Sequence, residues 1–301
     1  MKSCILKCAV VSGAVLFSAV VAPAAVLYST YSAYHHIEVI DDGAIRTLSF
    51  NGSMETRMSR FNPLQGHFEY TEYFHMPWLW NTNIKRVLMI GLGGGSTQRS
   101  YQHYYTNVLV ETIELDPVVV SVAKRFFTVT ETPRHRIHTN DGRVFLRRTT
   151  NVYDAIIMDA YATTRYGSSI PPHLTTKEFF GIVHSRLTTN GVMAYNIIGQ
   201  MDGLNEEFVG SIYRTMRQVF PQVYLFPAVE SQNAVLVGTK SAEHFDFDRV
   251  QREGNELLRN RVVRLPTFAT RLKSFLTNEP SATWRSPVLT DARAGVEALL
   301  R

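Results

Sequence analysis

An apolar run that ends in a cluster of glycines constrains this chain more than any other feature. Residues 86–90 read Arg-Val-Leu-Met-Ile, and the next five positions hold Gly91, Gly93, Gly94 and Gly95. An apolar run without polar alternation is typical of a parallel strand that is buried on both faces of a sheet. Glycines at its carboxyl end allow a sharp turn with backbone N–H groups open to a ligand. The sequence therefore predicts an α/β sheet with a ligand site at this turn.

A second apolar run ends in acidic side chains and narrows the choice of ligand. Residues 108–113 lead to Glu114 and Asp116, about twenty residues after the glycines. A carboxylate at this place can accept hydrogen bonds from ribose hydroxyls. In the dinucleotide pattern G-x-G-x-x-G, the register that starts at Gly91 puts Ser96 in the place of the third glycine. The pattern favours an adenosine ligand without a pyrophosphate.

The rest of the chain alternates apolar strands with amphipathic helices, which predicts a parallel sheet with helical crossovers. A short-loop strand pair at 222–226 and 234–238 suggests one antiparallel edge strand. Before the sheet, 36–40 and 45–50 are predicted as antiparallel strands joined by tight turns, followed by a helix over 68–77. We expect four parts: an N-terminal segment, a small β-domain with its helix, the α/β domain and a helical extension, at 1–28, 29–78, 79–240 and 241–301.

The N-terminus is expected to be a signal peptide or a membrane anchor. No charged residue occurs from Cys8 to Tyr28, and Lys2 and Lys7 precede this stretch. Its length approaches what a bilayer needs, so residues 8–28 are predicted to contact the membrane and the body is predicted to be anchored or exported. The apolar residues 25–28 favour an uncleaved anchor. The alternative is that this segment forms a buried N-terminal helix and that the protein is cytoplasmic.

Composition excludes several other function classes. The net charge is +5 over 301 residues, and the basic residues are spread out except near 249–273, so no nucleic-acid partner is expected. Cys4 and Cys8 are the only cysteines, which argues against a catalytic thiol. The ten histidines show no metal-ligand spacing, and we expect no metal site.

Two further acids follow later strands of the predicted sheet. Asp141 comes after the third strand, where its carboxylate could accept a hydrogen bond from the adenine amino group while Gly142 permits close approach. Asp159 comes after the fourth strand and begins a long loop. A carboxylate there can act as a general base or hold a cationic substrate. The alternative is that Asp159 only caps the loop.

From about residue 34 to residue 240, the chain resembles the polyamine aminopropyltransferases, the spermidine synthase family. The resemblance rests on five motifs in the family's order: Ile90-Gly-Leu-Gly-Gly-Gly95, Glu114-Leu-Asp116, Asn140-Asp-Gly-Arg143, Tyr153-Asp-Ala-Ile-Ile-Met-Asp159 and Leu174-Thr-Thr-Lys-Glu-Phe-Phe180. It implies a class I methyltransferase-like Rossmann sheet and transfer of a 3-aminopropyl group from decarboxylated S-adenosylmethionine to putrescine or a related amine. It also implies no tightly bound cofactor and a homodimer.

The resemblance also implies roles for individual residues. Asp159 would be the base that deprotonates the amine, Glu114 would bind ribose and Asp141 would bind adenine. The glycines at 91, 93, 94 and 95, Asp116 and Gly142 would complete the donor site. Tyr70, Glu72 and Tyr161 would contact the amine.

Two positions depart from the family pattern and leave other functions open. Ala162 replaces the second aspartate of the D-x-x-D motif, and Thr71 stands where the family has Gln or His. Glu72 or Glu69 would then have to pair with the far ammonium of a diamine, because an unpaired buried charge is costly. The chain looks like a divergent, spermidine synthase-like branch. A methyltransferase, with Arg99 on the donor carboxylate, and a membrane-anchored, non-catalytic polyamine or nucleoside sensor are the alternatives.

Overall fold

A small antiparallel sheet opens the structure, a computed structural model that describes residues 24–164, 167–203 and 205–293. This N-terminal sheet has its four strands in chain order. They are β1 (Ala25–Tyr31), β2 (His36–Asp42), β3 (Ile45–Phe50) and β4 (Ser53–Ser59). Gly43, Asn51 and Gly52 have positive φ angles at the two hairpin turns, as tight turns of this kind require. The predicted antiparallel strands are confirmed.

The first strand corrects the prediction for the N-terminal segment. Residues 25–28, expected to continue an apolar anchor, are part of β1, whose backbone pairs antiparallel with β2. The Tyr28 ring also packs on Phe126, with the ring centroids 5.3 Å apart. Residues 8–23 of the predicted anchor lie outside the described residues. Within the described ranges, no helix has the length and apolar character to cross a membrane.

The predicted helix before the large sheet is present as a 3-10 helix, Glu69–Leu79, with Pro77 inside it. All of its side chains except Tyr70 are buried. It packs on one face of the large sheet, where Tyr73, Phe74 and Met76 join the main apolar core. This helix therefore packs against the rest of the protein, and Tyr70 is its one partly exposed side chain.

The large sheet has seven strands in the order β12-β13-β11-β8-β5-β6-β7. Their bounds, with the small hairpin β9–β10, are β5 (Arg86–Ile90), β6 (Leu109–Glu114), β7 (His135–Thr139), β8 (Tyr153–Met158), β9 (Ala162–Thr164), β10 (Gly167–Ser169), β11 (Leu187–Ile198), β12 (Gln222–Ala228) and β13 (Asn233–Thr239). The expected parallel sheet is confirmed, but the predicted antiparallel edge strand is wrong. The antiparallel strand is β13, which inserts between β11 and the edge strand β12. Only a short connection separates β12 from β13, which pairs antiparallel with β12 on one side and with β11 on the other.

Helices cover both faces of this sheet. They are α1 (Ser96–Tyr104), α2 (Pro117–Phe126), α3 (Gly142–Arg148), α4 (Lys177–Arg186), α5 (Glu206–Arg217), α6 (Phe247–Arg259) and α7 (Phe268–Leu272). Alternate residues of β5 point to opposite faces: Val87 and Met89 join the core under the 3-10 helix, α6 and α7, whereas Leu88 joins the core under α4 and α5. Helix α2 packs against the N-terminal sheet as well as against β6 and β7 of the large sheet.

Two helices lie in the region of the predicted helical extension, 241–301. Helix α6 comes first and the short helix α7 follows it. Residues 294–301 of the predicted extension lie outside the described residues.

Candidate active site

A cavity lies at the carboxyl ends of β5, β6 and β8, the edge where an open α/β sheet binds its ligands. Its floor comes from the large sheet, and β4 with the start of the 3-10 helix covers it. Ligand contacts are therefore available from both sheets. The polar and glycine residues that line it are Tyr34, His35, Glu55, Thr56, Tyr70, Thr71, Gly91, Gly93, Ser96, Thr97, Gln98, Glu114, Asp116, Asn140, Asp141, Gly142, Asp159, Tyr161 and His173.

The four glycines of the turn divide into two groups. Gly91 and Gly93 line the cavity with φ angles of 100° and 51°. A Cβ on Gly91 would lie 2.1 Å from the backbone oxygen of Asp159, so only glycine fits there. Gly94 and Gly95 do not line the cavity, and a Cβ on either would collide with a side chain of the packed core. They serve close packing instead of the donor contact expected for them.

Glu114, the last residue of β6, and Asp116 lie at the same edge. The Glu114 carboxylate accepts hydrogen bonds from the backbone N–H groups of Leu92 and Asp116, both at 3.0 Å, and burial raises its pKa. Asp116 caps α2 by accepting from the N–H of Val118, at 2.8 Å. Its second oxygen is buried without a protein partner, and Asp116 is one of the residues that line the cavity. A ribose hydroxyl is a suitable donor for such an oxygen.

Asp141 is already engaged on both oxygens. One accepts from the backbone N–H of Val144 and caps α3, and the other lies 2.8 Å from Nε2 of His173. Hydrogen bonding to His173 lowers the pKa of Asp141. An adenine amino group would therefore share this carboxylate with His173, which the sequence did not single out. Gly142 allows the Ile90 side chain, and not only a ligand, to approach closely. A Cβ on residue 142 would lie 2.4 Å from the Ile90 side chain.

Asp159 is held inside the cavity by two donors. The Tyr70 hydroxyl donates to Oδ2 at 3.2 Å, and the Asn196 amide donates to Oδ1 at 2.9 Å. Burial raises the pKa of Asp159 to about 6, even though both hydrogen bonds lower it. The alternative that this carboxylate only caps its loop does not match these contacts. A carboxylate with a pKa near neutrality is suited to accept a proton.

A polar network behind Asp159 fixes the donor that contacts it. The amide of Asn233 donates to Oδ1 of Asn196 at 3.0 Å, which orients the Asn196 amide nitrogen toward Asp159. The Tyr161 hydroxyl donates to the Asn196 carbonyl at 2.9 Å and accepts from the N–H of Ile198 at 3.0 Å. Tyr161 thus lines the cavity, as expected, but its hydroxyl is used by the protein. A polar Asn196 in the buried part of β11 was the sequence signal for this network.

The structure places Glu72 away from the cavity, contrary to the expectation that it contacts the amine. The Arg271 guanidinium lies 2.5 Å from Glu72 and 2.7 Å from Glu69. His67 also lies 3.1 Å from Glu72. Neither glutamate is a cavity-lining residue, so neither can pair with a substrate ammonium as expected. Spacing along the chain could not show this, because Arg271 is about two hundred residues away.

Glu55 is the acidic cavity residue that sequence reasoning missed. It lies on β4 and lines the cavity together with Ala162, the position of the missing family aspartate. The hydroxyl of Ser168 in β10 donates to Glu55 at 2.8 Å. The strand around Glu55 carries no recognisable motif, so only the folding of β4 over the large sheet reveals it.

Arg99 is not available for a donor carboxylate. Its guanidinium is buried and donates to the carbonyls of Pro63, Gly94 and Phe127. The Ser96 hydroxyl accepts a further bond at 3.3 Å. The residue that the methyltransferase alternative relied on therefore serves to hold the glycine turn. The described ranges also contain no cluster of three or more His, Cys, Asp or Glu side chains that could hold a metal ion.

Comparison with known proteins agrees with this geometry. The family model for the spermine/spermidine synthase domain matches residues 67–245, more than half of the chain. The chain belongs to the spermidine synthase family of aminopropyltransferases. The polyamine aminopropyltransferase of Vibrio vulnificus is 31% identical over 221 residues, which cover 70% of this chain and 71% of that protein.

Two further similarities show which classes of protein share this fold. A probable spermidine synthase from Corynebacterium glutamicum superposes with a TM-score of 0.64 at 23% identity, covering 77% of this chain and 86% of that one. The eEF1A lysine and N-terminal methyltransferase of Xenopus laevis is 31% identical over 163 residues, 52% of this chain. This chain matches only 23% of the length of that methyltransferase. The fold is thus the Rossmann-like fold that aminopropyltransferases share with methyltransferases.

Proposed function

We propose that the protein transfers the 3-aminopropyl group of decarboxylated S-adenosylmethionine to putrescine or a related amine. The observation that carries this proposal is the pair of Asp159 and Tyr70 in a cavity whose other end, at Glu114 and Asp116, suits a nucleoside. Family membership supports the reaction class. The geometry supports an arrangement with the donor at Glu114 and the amine at Asp159. The glycine turn and Glu114 would hold the donor, and Asp159 would face the amine.

The reaction is a direct displacement at carbon. The lone pair of the amine forms a new C–N bond to the propyl carbon beside the sulfonium, and the C–S bond breaks with its electron pair moving to sulfur. Sulfur thereby becomes the neutral thioether of methylthioadenosine. The nitrogen must lose one proton, because an ammonium has no lone pair. Asp159 would accept this proton, and the Tyr70 hydroxyl would hold the carboxylate in place.

Asp159→Asn tests the proposal, because the amide is nearly isosteric but cannot act as a base. We expect spermidine formation from putrescine to fall about 10²- to 10⁴-fold, the usual contribution of a general base. Methylthioadenosine binding should persist. Asp248→Asn on the exposed face of α6 is the matched control and should keep full activity. Unchanged turnover in Asp159→Asn would remove this residue from the mechanism.

A methyltransferase remains the second candidate, supported by the similarity to the Xenopus laevis protein. Such an enzyme binds intact S-adenosylmethionine and needs a partner for its carboxylate, and Arg99 is used elsewhere. Calorimetric titration of the protein with the intact and decarboxylated donors separates the two functions. Tighter binding of the decarboxylated donor supports aminopropyl transfer. Preference for the intact donor supports methyl transfer, and binding without product supports the sensor.

A further inference from the structure

We propose that Asp291 is a positioning residue for the donor site: through Arg143 and His173 it keeps Asp141 oriented toward the donor base. Neither Asp291 nor Arg143 lines the cavity, so neither would contact the donor itself. This inference rests on the proposed function, because it assigns how the base end of the donor site is held. It goes beyond that function by giving residues 286–291, the C-terminal segment, a role in donor selection.

The base end of the cavity has two walls that come from different parts of the chain. One wall is formed by residues 140–142, after β7, and the other by residues 171–174, just before α4. His173 joins the walls inside the cavity, because its Nε2 atom lies 2.8 Å from Oδ2 of Asp141. An Asp141 carboxylate that is fixed in this way presents a defined acceptor to the amino group of a base.

Arg143 and Asp291 join the same two walls from outside the cavity. Nη1 of Arg143, the residue after the first wall, donates to the carbonyl of His173 at 3.0 Å. The guanidinium also donates to both carboxylate oxygens of Asp291, at 2.8 and 2.5 Å. The hydroxyl of Thr176 donates to the same carboxylate at 2.7 Å. Asp291 is therefore bonded to a residue beside each wall.

The C-terminal segment is attached to the α/β domain independently of the Asp291 side chain. Leu289 is buried in the core under α4 and α5. Its N–H donates to the Thr215 hydroxyl and its carbonyl accepts from the N–H of Lys177, both at 2.9 Å. A substitution of the Asp291 side chain should thus leave the segment in place.

The charge balance around Arg143 explains the importance of Asp291. The Arg143 side chain is only 11% exposed, and a cation so far removed from water needs a paired anion. The hydrogen bond to Asp291 raises the pKa of Arg143, and the negative charges of Glu178 and Asp141 act in the same direction. Without the Asp291 charge, the guanidinium would be drawn toward Glu178 and Asp141 and away from the His173 carbonyl. Asp141 would then face Arg143 instead of the donor base.

The test compares methylthioadenosine with its purine riboside analogue, which carries hydrogen in place of the amino group of the base. In Asp291→Asn, we expect the Kd for methylthioadenosine to rise roughly 10-fold, because a hydrogen bond to a charged group is lost. The Kd for the analogue should change less than about twofold, since the analogue has no amino group for Asp141 to bind. Calorimetric titration measures both values.

Arg285→Met is the matched control, because it also removes an ion pair between the C-terminal part of the chain and the α/β domain. Arg285 pairs with Glu206 and Glu207 on α5, and none of the three lines the cavity. Both Kd values should therefore stay unchanged in this variant.

A second substitution tests whether Asp291 acts through Arg143. Arg143→Met should have the same selective effect, and Arg143→Met/Asp291→Asn should be no weaker than either single variant, since the two residues act as a unit. The ratio of the two Kd values does not depend on how much of each variant is folded. An equal loss for both nucleosides, unchanged Kd values or additive effects in the double variant would overturn the proposal.

Binding and turnover together separate this inference from the proposed function. If the unaltered protein forms no product with any amine, aminopropyl transfer is refuted, while a selective loss in Asp291→Asn still supports the role of Asp291. If it forms spermidine but binds the two nucleosides equally, the role of Asp291 is refuted and aminopropyl transfer stands. Binding of neither nucleoside would refute both.

Discussion

At the scale of single residues, the pKa of Asp159 depends on how far its carboxylate is removed from water. Desolvation favours its protonated form, and the hydrogen bonds from Tyr70 and Asn196 favour its charged form. Desolvation prevails, so the pKa lies near 6 and not at the ordinary value of 3.8. The carboxylate is therefore ionised at neutral pH but still basic enough to accept a proton. A fully exposed aspartate would be a weaker base by about two pKa units.

The pH dependence of turnover tests this balance. The protonated carboxyl cannot accept the amine proton, so kcat should be level above about pH 6 and fall tenfold per unit below it. Asn196→Ala removes a hydrogen bond that favours the charged form, which raises the pKa of Asp159. We expect the acid limb to move to higher pH by roughly 0.5–1 unit.

Asn260→Ala, at the exposed end of α6, is the control and should leave the limb near pH 6. Steady-state kinetics over pH 5–9 measure the three profiles. A limb at the same pH in wild type and Asn196→Ala would show that Asn196 does not act on the base.

At the scale of elements, the turn between β5 and α1 brings the donor end and the catalytic end together. The amide of Gln98 donates to the Gly91 carbonyl at 3.0 Å, and the N–H of Gly94 donates to the Thr56 hydroxyl at 2.9 Å. The turn therefore contacts α1 on one side and the N-terminal sheet on the other. Its backbone also lies directly against the backbone of Asp159.

Gly91→Ala tests how closely this turn is packed. The new Cβ would lie 2.1 Å from the Asp159 carbonyl oxygen, and the φ of 100° is unfavourable for alanine. We expect a loss of about 2–4 kcal/mol in the free energy of unfolding and a large loss of activity, because Asp159 must shift. Urea unfolding and turnover measure these effects.

Gly181→Ala on α4 is the matched control, because its Cβ would meet no atom within 4 Å. Alanine in a helix should stabilise the protein by about 0.5–1 kcal/mol and leave activity unchanged. Similar behaviour of the two variants would mean that the turn can relax around the added methyl group.

At the scale of the whole molecule, Arg271 joins the C-terminal extension to the helix that precedes the large sheet. It lies on α7 and pairs with Glu69 and Glu72 of the 3-10 helix. Both glutamates are buried, and Arg271 is the cation that pairs with both of them. Burial alone would raise the pKa of Glu72, but hydrogen bonds from His67 and Arg271 bring it down to about 2.

Arg271→Met should destabilise the protein by about 3–5 kcal/mol, because it leaves buried carboxylates without their cation. Because the pKa of Glu72 is lowered on folding, its stabilisation is complete above pH 4.5 and is lost as pH falls toward about 2. The variant should therefore lose less stability than wild type over this range. Urea unfolding between pH 3 and 7 measures both effects.

Arg259→Met, exposed at the end of α6, controls for the loss of a surface charge. Adding Glu69→Gln and Glu72→Gln to Arg271→Met should recover part of the lost stability, since no buried charge then remains unpaired. A change of less than about 1 kcal/mol in Arg271→Met would contradict the structural role.

Much of the fold was readable from local patterns. Continuous apolar runs and turn residues depend on neighbours in the chain, so the strands 36–40, 45–50 and 86–90 were anticipated within a residue or two. The strand β1 was missed because its apolar residues resemble those of a membrane segment. The insertion of β13 was also missed, because the order of strands depends on pairing between distant segments.

The sequence by itself determined the α/β class, the turn at Gly91 and the presence of Asp159 at a strand end, since each follows from local periodicity and backbone freedom. Only the tertiary structure decided which acids share the cavity. Folding places Glu55 of β4 in the cavity lining, and it pairs Glu72 with Arg271 away from the cavity. The physical reason is that charge pairing and desolvation depend on distance in space, and residues about a hundred or more apart in the chain become neighbours only on folding.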